Sequence, residues 1–167
     1  MDIYILRHGI AVEHGSPGVA KDSDRELTPK GERRLGQVAD AMEVMELSFD
    51  LILSSPFVRA RQTAEIIAEA MGAKKKLELS SDLVPDGSMK KLIESLNKLD
   101  PTPKSVLLVG HEPYLSGLIS LLVFGEEISA VTMKKGGLCK LTAGPLKNGR
   151  CATLEWLLTP RQLASLS

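Results

Sequence analysis

The chain has 167 residues, of which 43% are hydrophobic and 25% are charged, and its basic and acidic residues cancel to a formal net charge of zero. This length suits one domain with a hydrophobic core, so we expect a single domain over residues 1–167. A zero net charge argues against general affinity for nucleic acid or for an anionic membrane surface, because both need a basic excess.

The chain is expected to be cytoplasmic and to contain no disulfide. No apolar run approaches the roughly 20 residues that a membrane-spanning helix needs. The N-terminus begins with a strand-like segment, and Asp2 lies where a signal peptide carries positive charge. The two cysteines, Cys139 and Cys151, lie in strand-like segments and are too few for a disulfide framework, which predicts buried free thiols.

Strand-like and helix-like segments alternate along most of the chain. The predicted strands are 3–6, 50–54, 77–79, 105–110, 137–143 and 151–158, and the predicted helices lie in 27–45, 55–72, 88–99, 113–125 and 159–166. This alternation predicts an α/β fold, a three-layer α/β/α sandwich with a mostly parallel central sheet. The last two strands are joined by a turn at 144–149 and are expected to be antiparallel.

Capping residues mark the ends of the first two helices. Thr28 is the expected N-cap of the first helix, with Pro29 at its first position. Ser55 is the expected cap of the second helix, with Pro56 at its first position and Gly72 as its end.

Polar residues follow three predicted strands at their carboxyl ends. Arg7 and His8 follow the first strand, Arg59 lies in the first turn of the helix after the second strand, and His111 follows the fourth strand. Ligands in open α/β sheets bind at the carboxyl ends of the strands, so we expect these four residues to converge. The polar loop 13–26 follows the first strand and is expected to border the same site.

Two histidines and two arginines at one edge of a sheet suit phosphoryl transfer. A neutral imidazole is a nucleophile at neutral pH, and guanidinium groups match the geometry of phosphate oxygens. A second imidazolium stabilises the charge of the transferring group. An arginine in a first helical turn opposes the helix dipole, which is easier to explain if an anion binds beside it.

The sequence lacks the motifs of several other reaction classes. The sequence has neither the GxxxxGK[ST] loop of nucleoside triphosphatases nor the GxSxG turn of serine hydrolases. It also lacks the acid-rich ligand set of a magnesium site. A zinc site formed by His8, His14 and His111 is a weaker alternative, since no cysteine or carboxylate has ligand spacing to them. We therefore expect no metal and no cofactor.

Each candidate residue has a simpler interpretation when it is taken alone. An RHG tripeptide is more often a surface turn, and Arg59 alone is most simply a solvated helix residue. The joint placement of the four residues at strand ends favours a site. His14 is expected to be exposed, and Lys134 and Lys135 are interpreted as surface residues, with contact to a substrate as the alternative.

Four segments together resemble the histidine phosphatase superfamily, which has the phosphoglycerate mutase-like fold. They are YILRHGIA, LTPKGERR, LILSSPFVRARQTAEII and VLLVGHEPYLSGLI, and they run in family order from residue 3 to about residue 120. The short length, the LTPKG segment and the PDG after the third strand are most similar to the SixA-type phosphohistidine phosphatases. The resemblance implies that His8 is the phosphorylated nucleophile and that Arg7, Arg59 and His111 complete the phosphate pocket. Gly9 is expected to let the backbone approach the phosphate.

The chain departs from mutase-like members of the family at two places. His14 occupies the position, six residues after the nucleophile, where those members usually have asparagine. The insertion that carries their glutamate general acid is replaced by the short segment 77–91, whose acidic residues are Glu78, Asp82 and Asp86. None of the three matches the family acid well, and Asp86 or Asp82 is the candidate acid. We expect a minimal form of the fold without a large lid insertion.

These departures bear on the leaving group of the substrate. An alkoxide needs protonation to depart readily, whereas the imidazole of a phosphohistidine leaves with weaker acid help. The sequence therefore predicts a metal-independent phosphatase that forms a phosphohistidine intermediate on His8 and acts on phosphohistidine of a signalling or phosphotransfer protein.

Three alternatives stay open at this point. The first is a small-molecule phosphomonoesterase for sugar or nucleotide phosphates, with Asp86 or Asp82 as its acid. The second is a mutase, which has to retain its intermediate in a closed site, and the third is a catalytically silent phosphate-binding module. The sequence leaves the partner protein and the oligomeric state open.

Overall fold

The computed structural model describes residues 1–128 and 130–167, and the elements below are those of the described residues. The strands are β1 Asp2–Arg7, β2 Leu51–Ser54, β3 Leu77–Leu79, β4 Ser105–Gly110, β5 Leu138–Ala143 and β6 Ala152–Leu158. The α-helices are α1 Pro29–Val44, α2 Val58–Ala70, α3 Met89–Asn97, α4 Tyr114–Phe124 and α5 Pro160–Ala164. Short 3₁₀ helices lie at Asp22–Asp24, Lys74–Lys76 and Ser81–Leu83.

The strands form one sheet in the order β3-β2-β4-β1-β5-β6. The first four strands in this order are parallel to one another. β5 runs antiparallel to β1, and β6 runs antiparallel to β5. The mostly parallel sheet is therefore confirmed, and so is the antiparallel pair at its end. The sequence does not predict the pairing of β5 with β1, because it depends on contacts between distant segments.

Side chains that alternate along the central strands build a core on each face of the sheet. In β1, Ile3 and Ile5 belong to one buried cluster, and Tyr4 and Leu6 belong to the other, because successive side chains of a strand point to opposite faces. Residues of α3 and α4 complete the first cluster, and residues of α1, α2 and α5 complete the second. The three-layer α/β/α sandwich is confirmed.

Most of the predicted helix ends are confirmed. The side chain of Thr28 accepts a hydrogen bond from the backbone of α1, whose first residue is Pro29, and Ser88 caps α3 in the same way. Gly125 ends α4 with a φ of 92°, in the left-handed region that favours glycine. Within the described residues, no helix combines the length and the apolar character that crossing a membrane would need.

The predicted start of α2 is wrong. The helix begins at Val58, with Phe57 as its N-cap, rather than at Pro56 with Ser55 as its cap. The backbone N–H of Ser55 donates to the carbonyl of Val109 in β4 at 3.0 Å. Because this bond extends the pairing of β2 with β4, Ser55 still belongs to the sheet edge, and the helix starts later.

The two thiols differ in burial. Cys139 is buried in β5, and its burial raises the pKa of the thiol to about 12. Cys151 precedes β6 and is only half-buried, so the prediction of a buried strand position is wrong for this residue. Both cysteines are free, as predicted.

Candidate active site

The carboxyl ends of β1, β4 and β2 lie side by side at one edge of the sheet. β1 and β4 pair up to Arg7 and Gly110, and β2 pairs with the other side of β4. Just beyond this ladder, the backbone N–H of His8 donates to the carbonyl of Gly110 at 3.0 Å. The segments that follow the three strands therefore leave the sheet from adjacent positions.

His8 and Arg59 are in direct contact. The Nε of Arg59 donates a hydrogen bond to Nε2 of His8 at 3.2 Å, and Nδ1 of His8 lies 2.7 Å from the carbonyl oxygen of Gly9. A carbonyl oxygen only accepts, so Nδ1 carries the proton and Nε2 holds the lone pair. Both side chains are buried, with 5% of His8 and 4% of Arg59 exposed. Nε2 is therefore the ring nitrogen of His8 with a lone pair available for attack, and the nucleophilic role of His8 stays a prediction.

The ring of His111 lies beside that of His8, with 5.1 Å between the two ring centroids. Its Nε2 is hydrogen-bonded to Oγ of Ser55 at 2.8 Å, and Phe57 packs against the ring with its centroid 5.2 Å away. In the tautomer in which the hydroxyl of Ser55 donates to Nε2, the proton of His111 lies on Nδ1. That Nδ1 is buried and has no hydrogen-bond partner among the described residues.

Burial lowers the pKa of both histidines to about 3. For His8, the positive charges of the neighbouring arginines act in the same direction, while the hydrogen bond to the carbonyl of Gly9 opposes them. For His111, the charge of Arg59 is the second cause. Both rings are therefore neutral at pH 7 in the free site, in contrast to the imidazolium that the sequence suggests at His111. A bound phosphoryl dianion shifts the pKa of such a ring upward.

Asp22 is the carboxylate partner of Arg59. The two terminal nitrogens of Arg59 donate to the backbone carbonyl of Asp22 at 2.8 Å and to its Oδ2 at 3.0 Å. Arg25 donates to the other carboxylate oxygen at 2.9 Å. Burial by itself raises the pKa of Asp22, but the hydrogen bonds from Arg25 and Arg59 outweigh it and lower the pKa. Asp22 is therefore held as an anion.

Arg7, at the end of β1, contacts the segment that precedes β5. Its Nη1 donates to the carbonyl of Met133 at 2.8 Å, while its Nε is buried without a partner among the described residues. Burial lowers the pKa of Arg7, and the charge of Glu112 opposes this effect. A buried donor without an acceptor costs about 1–3 kcal/mol. The Nε of Arg7 and, in the tautomer with its proton on Nδ1, the ring of His111 are thus donors that an oxyanion would satisfy.

Two glycines let the turn after β1 pack tightly against α1. A Cβ at Gly9 would lie 2.7 Å from Cδ1 of Leu35, and a Cβ at Gly31 would overlap the carbonyl oxygen of Ile10. The backbone N–H of Gly9 also donates to Oγ1 of Thr63 in α2 at 3.1 Å. This packing accounts for both glycines, and the approach of the Gly9 backbone to a phosphate stays a prediction.

The two candidate acids lie outside this network. Asp82 is half-buried in the 3₁₀ helix Ser81–Leu83, and Asp86 is exposed. Within residues 1–128 and 130–167, neither carboxylate forms a hydrogen bond or an ion pair with a residue of the site. His14 is exposed, as predicted, and no described group of three or more histidine, cysteine or carboxylate side chains is placed to hold a metal ion.

The structure adds two site residues that the sequence analysis did not single out for this role. Asp22 lies in the loop 13–26, which was expected to border the site, and its position three residues before Arg25 was the available signal of an ion pair. Ser55 was interpreted as a helix cap, and its contact with His111 had no signal in the sequence.

Comparison with known proteins decides the family. The profile of the histidine phosphatase superfamily (branch 1) matches residues 3–84. An uncharacterized protein of Picosynechococcus sp. is 38% identical over 146 residues, which are 86% of each chain. The chain belongs to the histidine phosphatase superfamily. It is also 28% identical over 164 residues to the phosphohistidine phosphatase SixA of Escherichia coli (strain K12), covering 98% of this chain and 96% of that protein.

The fold agrees with this membership in the histidine phosphatase superfamily. The solved structure of the protein histidine phosphatase SixA complexed with tungstate superposes with a TM-score of 0.84 at 27% identity, covering 98% of this chain and 99% of that one. The protein thus has the phosphoglycerate mutase-like fold, and its described residues carry no large insertion, as predicted. This membership, together with the similarity to SixA over nearly the whole chain, supports a phosphatase activity.

Proposed function

We propose that the protein dephosphorylates phosphohistidine on a signalling or phosphotransfer protein, through a covalent phosphohistidine on His8 and without a metal or cofactor. The observation that carries this proposal is the state of Asp22. Among the described residues, it is the one carboxylate that is hydrogen-bonded to any of Arg7, His8, Arg59 and His111. Hydrogen bonds from two arginines lower its pKa and hold it as an anion. Such a carboxylate is a poor general acid, which favours a substrate whose leaving group needs little protonation.

In the first step, Nε2 of His8 attacks phosphorus in line with the leaving nitrogen of the substrate. The bond from Nε2 to phosphorus forms while the phosphorus–nitrogen bond of the substrate breaks. A substrate ring that is protonated on its other nitrogen departs as neutral imidazole. Arg59 transfers its hydrogen bond from Nε2 to a phosphoryl oxygen, and Arg7 and His111 bind the other oxygens.

In the second step, water attacks the phosphorylated His8 and releases inorganic phosphate. The carbonyl of Gly9 accepts the hydrogen bond of Nδ1 and so keeps a proton on that nitrogen. The phosphorylated ring therefore carries a positive charge and leaves as neutral imidazole, the form in which it attacks again. The contact of His8 with Gly9 thus serves both steps.

The relatives support this substrate class. Escherichia coli SixA, which is named a phosphohistidine phosphatase, aligns with nearly the whole chain, and the solved structure of a SixA holds tungstate, an oxyanion. The short segment 77–91 leaves room for a substrate carried on a protein surface. We expect the reaction to take place in the cytoplasm.

A substrate comparison tests the proposal. Chelator-treated enzyme is assayed on a histidine peptide phosphorylated with phosphoramidate and on a panel of sugar phosphates and nucleotides. We expect kcat/KM for the phosphohistidine peptide to exceed that for every ester by at least about 100-fold, the usual scale of general-acid assistance. The opposite preference would favour a small-molecule phosphomonoesterase. Phosphate binding without turnover of any substrate would favour a catalytically silent module.

A further inference from the structure

A basic groove lies directly beside the phosphate site. Its volume is about 540 Å³, and its basic lining residues are Arg7, Arg34, Lys134, Lys135 and Arg161, which define the basic groove below. Pro160 contributes to an apolar part of its wall. Because Arg7 lines the groove and is also a candidate phosphate-binding residue, the two are adjacent.

Among the described residues, the four cations beyond Arg7 have no carboxylate partner. Across the described part of the chain, Arg34, Lys134, Lys135 and Arg161 take part in no ion pair, and the lining of the groove includes neither aspartate nor glutamate. The chain as a whole has zero net charge. The positive charge of the groove is therefore a local excess, which attracts an acidic ligand to this face.

The groove has a fixed position relative to the nucleophile. Arg34 lies on α1, Arg161 lies on α5, and the two lysines lie in the turn that precedes β5. The backbone N–H of Gly136 in this turn lies 3.1 Å from the carbonyl oxygens of both Arg7 and His8. The backbone of the turn that carries the two lysines is therefore held directly beside the segment that carries His8.

We propose that the basic groove binds acidic side chains that flank the phosphohistidine of the partner protein. This inference rests on the proposed function and names the chemistry of the partner surface. Lys134, Lys135 and Arg161 are exposed and come from two separate segments. Solvated cations spread in this way accelerate and orient the encounter with an acidic surface, whereas a small ligand needs buried donors close to one another.

Matched peptides test the inference. Two histidine peptides of equal length are phosphorylated with phosphoramidate, one with four glutamates around the histidine and the other with four glutamines. We expect the wild-type enzyme to have a kcat/KM at least about tenfold higher for the glutamate peptide, and we expect added salt to reduce this preference.

The double variant K134Q/K135Q is expected to lose most of the preference for the glutamate peptide. The control is K90Q/K91Q, which removes the same charge from two exposed lysines of α3 and is expected to keep the wild-type ratio. Each ratio is measured within one enzyme preparation, so a variant that is partly unfolded does not alter it.

Four results would overturn the inference. Equal hydrolysis of both peptides by the wild-type enzyme, or an unchanged preference in K134Q/K135Q, removes the groove from substrate recognition and leaves the proposed function intact. If K134Q/K135Q selectively loses activity on an ester with a second anionic group, such as 3-phosphoglycerate, the groove binds small polyanions instead. Failure of the wild-type enzyme on both peptides, with esters hydrolysed, overturns the proposed function as well.

Discussion

The Nε of Arg59 donates a hydrogen bond to Nε2 of His8 across 3.2 Å, so in the proposed mechanism the cation that binds phosphate also orients the nucleophile. The two terminal nitrogens of the same guanidinium are held by Asp22. When phosphate binds, Arg59 has to exchange its contact with Nε2 for a phosphoryl oxygen, which frees the lone pair for attack. Asp22 keeps the guanidinium in place during this exchange.

Neutralising Asp22 is expected to impair catalysis through Arg59. D22N keeps the size of the side chain but removes the charge that holds the guanidinium. We expect kcat to fall about tenfold, since misplacement of a binding group costs transition-state stabilisation. D24N is the matched control, because Asp24 lies exposed in the same 3₁₀ helix. An equal loss of kcat in both variants would contradict this positioning role. A lower melting temperature of D22N with an unchanged kcat would also contradict it.

Variants of the two candidate acids distinguish a phosphohistidine phosphatase from a small-molecule phosphomonoesterase. Within the described residues, Asp82 and Asp86 form no side-chain hydrogen bond or ion pair with the site residues, and phosphohistidine needs little acid help. We expect D82N and D86N to change kcat/KM for a phosphohistidine peptide by less than about twofold. The measurement is run in parallel on sugar phosphates and nucleotides. A large loss on these esters, together with a high wild-type rate on them, would support the phosphomonoesterase.

Stability is expected to fall in mildly acidic solution. Because burial lowers the pKa of His8 and His111 from 6.5 to about 3, the unfolded chain binds more protons than the folded chain between these values. The free energy of unfolding therefore decreases as the pH drops from about 6.5 towards 3, by up to about 1.4 kcal/mol per pH unit for each histidine. Urea denaturation at several pH values measures this slope.

Variants of the histidines test whether the pH dependence of the unfolding free energy arises in the site. H111Q removes one of the two buried titrating rings, so its unfolding free energy should depend less steeply on pH than that of the wild type. H14Q changes an exposed histidine and should keep the wild-type dependence. A wild-type slope in H111Q would show that the acid sensitivity arises elsewhere.

Two glycines of α1 give opposite expectations for stability. In G31A, the new Cβ overlaps the carbonyl oxygen of Ile10, so the turn that carries His8 has to move. We expect a loss of about 2 kcal/mol or more in the free energy of unfolding, together with a lower kcat. In G36A, the Cβ meets open space, and alanine is favoured over glycine in a helix by roughly 0.5–1 kcal/mol. A stable and fully active G31A would refute the packing argument.

The architecture was predictable from the sequence because its signals are local. The segment 105–110 is predicted as a strand from its run of apolar residues, and β4 is that strand. The Thr28-Pro29 pair indicated the start of α1, since a threonine side chain and a proline ring both favour the first turn of a helix. Ser55-Pro56 carried a similar local signal and failed, because a bond to the neighbouring strand outweighed it.

The candidate site was only partly predictable, because several of its features arise from tertiary packing. The sequence places Arg7, His8, Arg59 and His111 at strand ends, but it does not show that burial keeps both rings neutral. The ion pair of Asp22 with Arg59 joins segments 37 positions apart. The basic groove likewise exists only when α1, α5 and the turn before β5 come together, so Lys134 and Lys135 had the pattern of ordinary surface residues.

The central claim is that His8 carries the phosphoryl group during turnover. The most direct measurement is rapid quenching of chelator-treated enzyme during its reaction with a ³²P-labelled phosphohistidine peptide, in alkaline denaturant that preserves phosphohistidine. We expect wild-type protein and H14Q to carry an acid-labile, base-stable label that maps to His8, and H8N to carry none. Turnover by the wild type without any such label, or an equal label in H8N, would contradict the account.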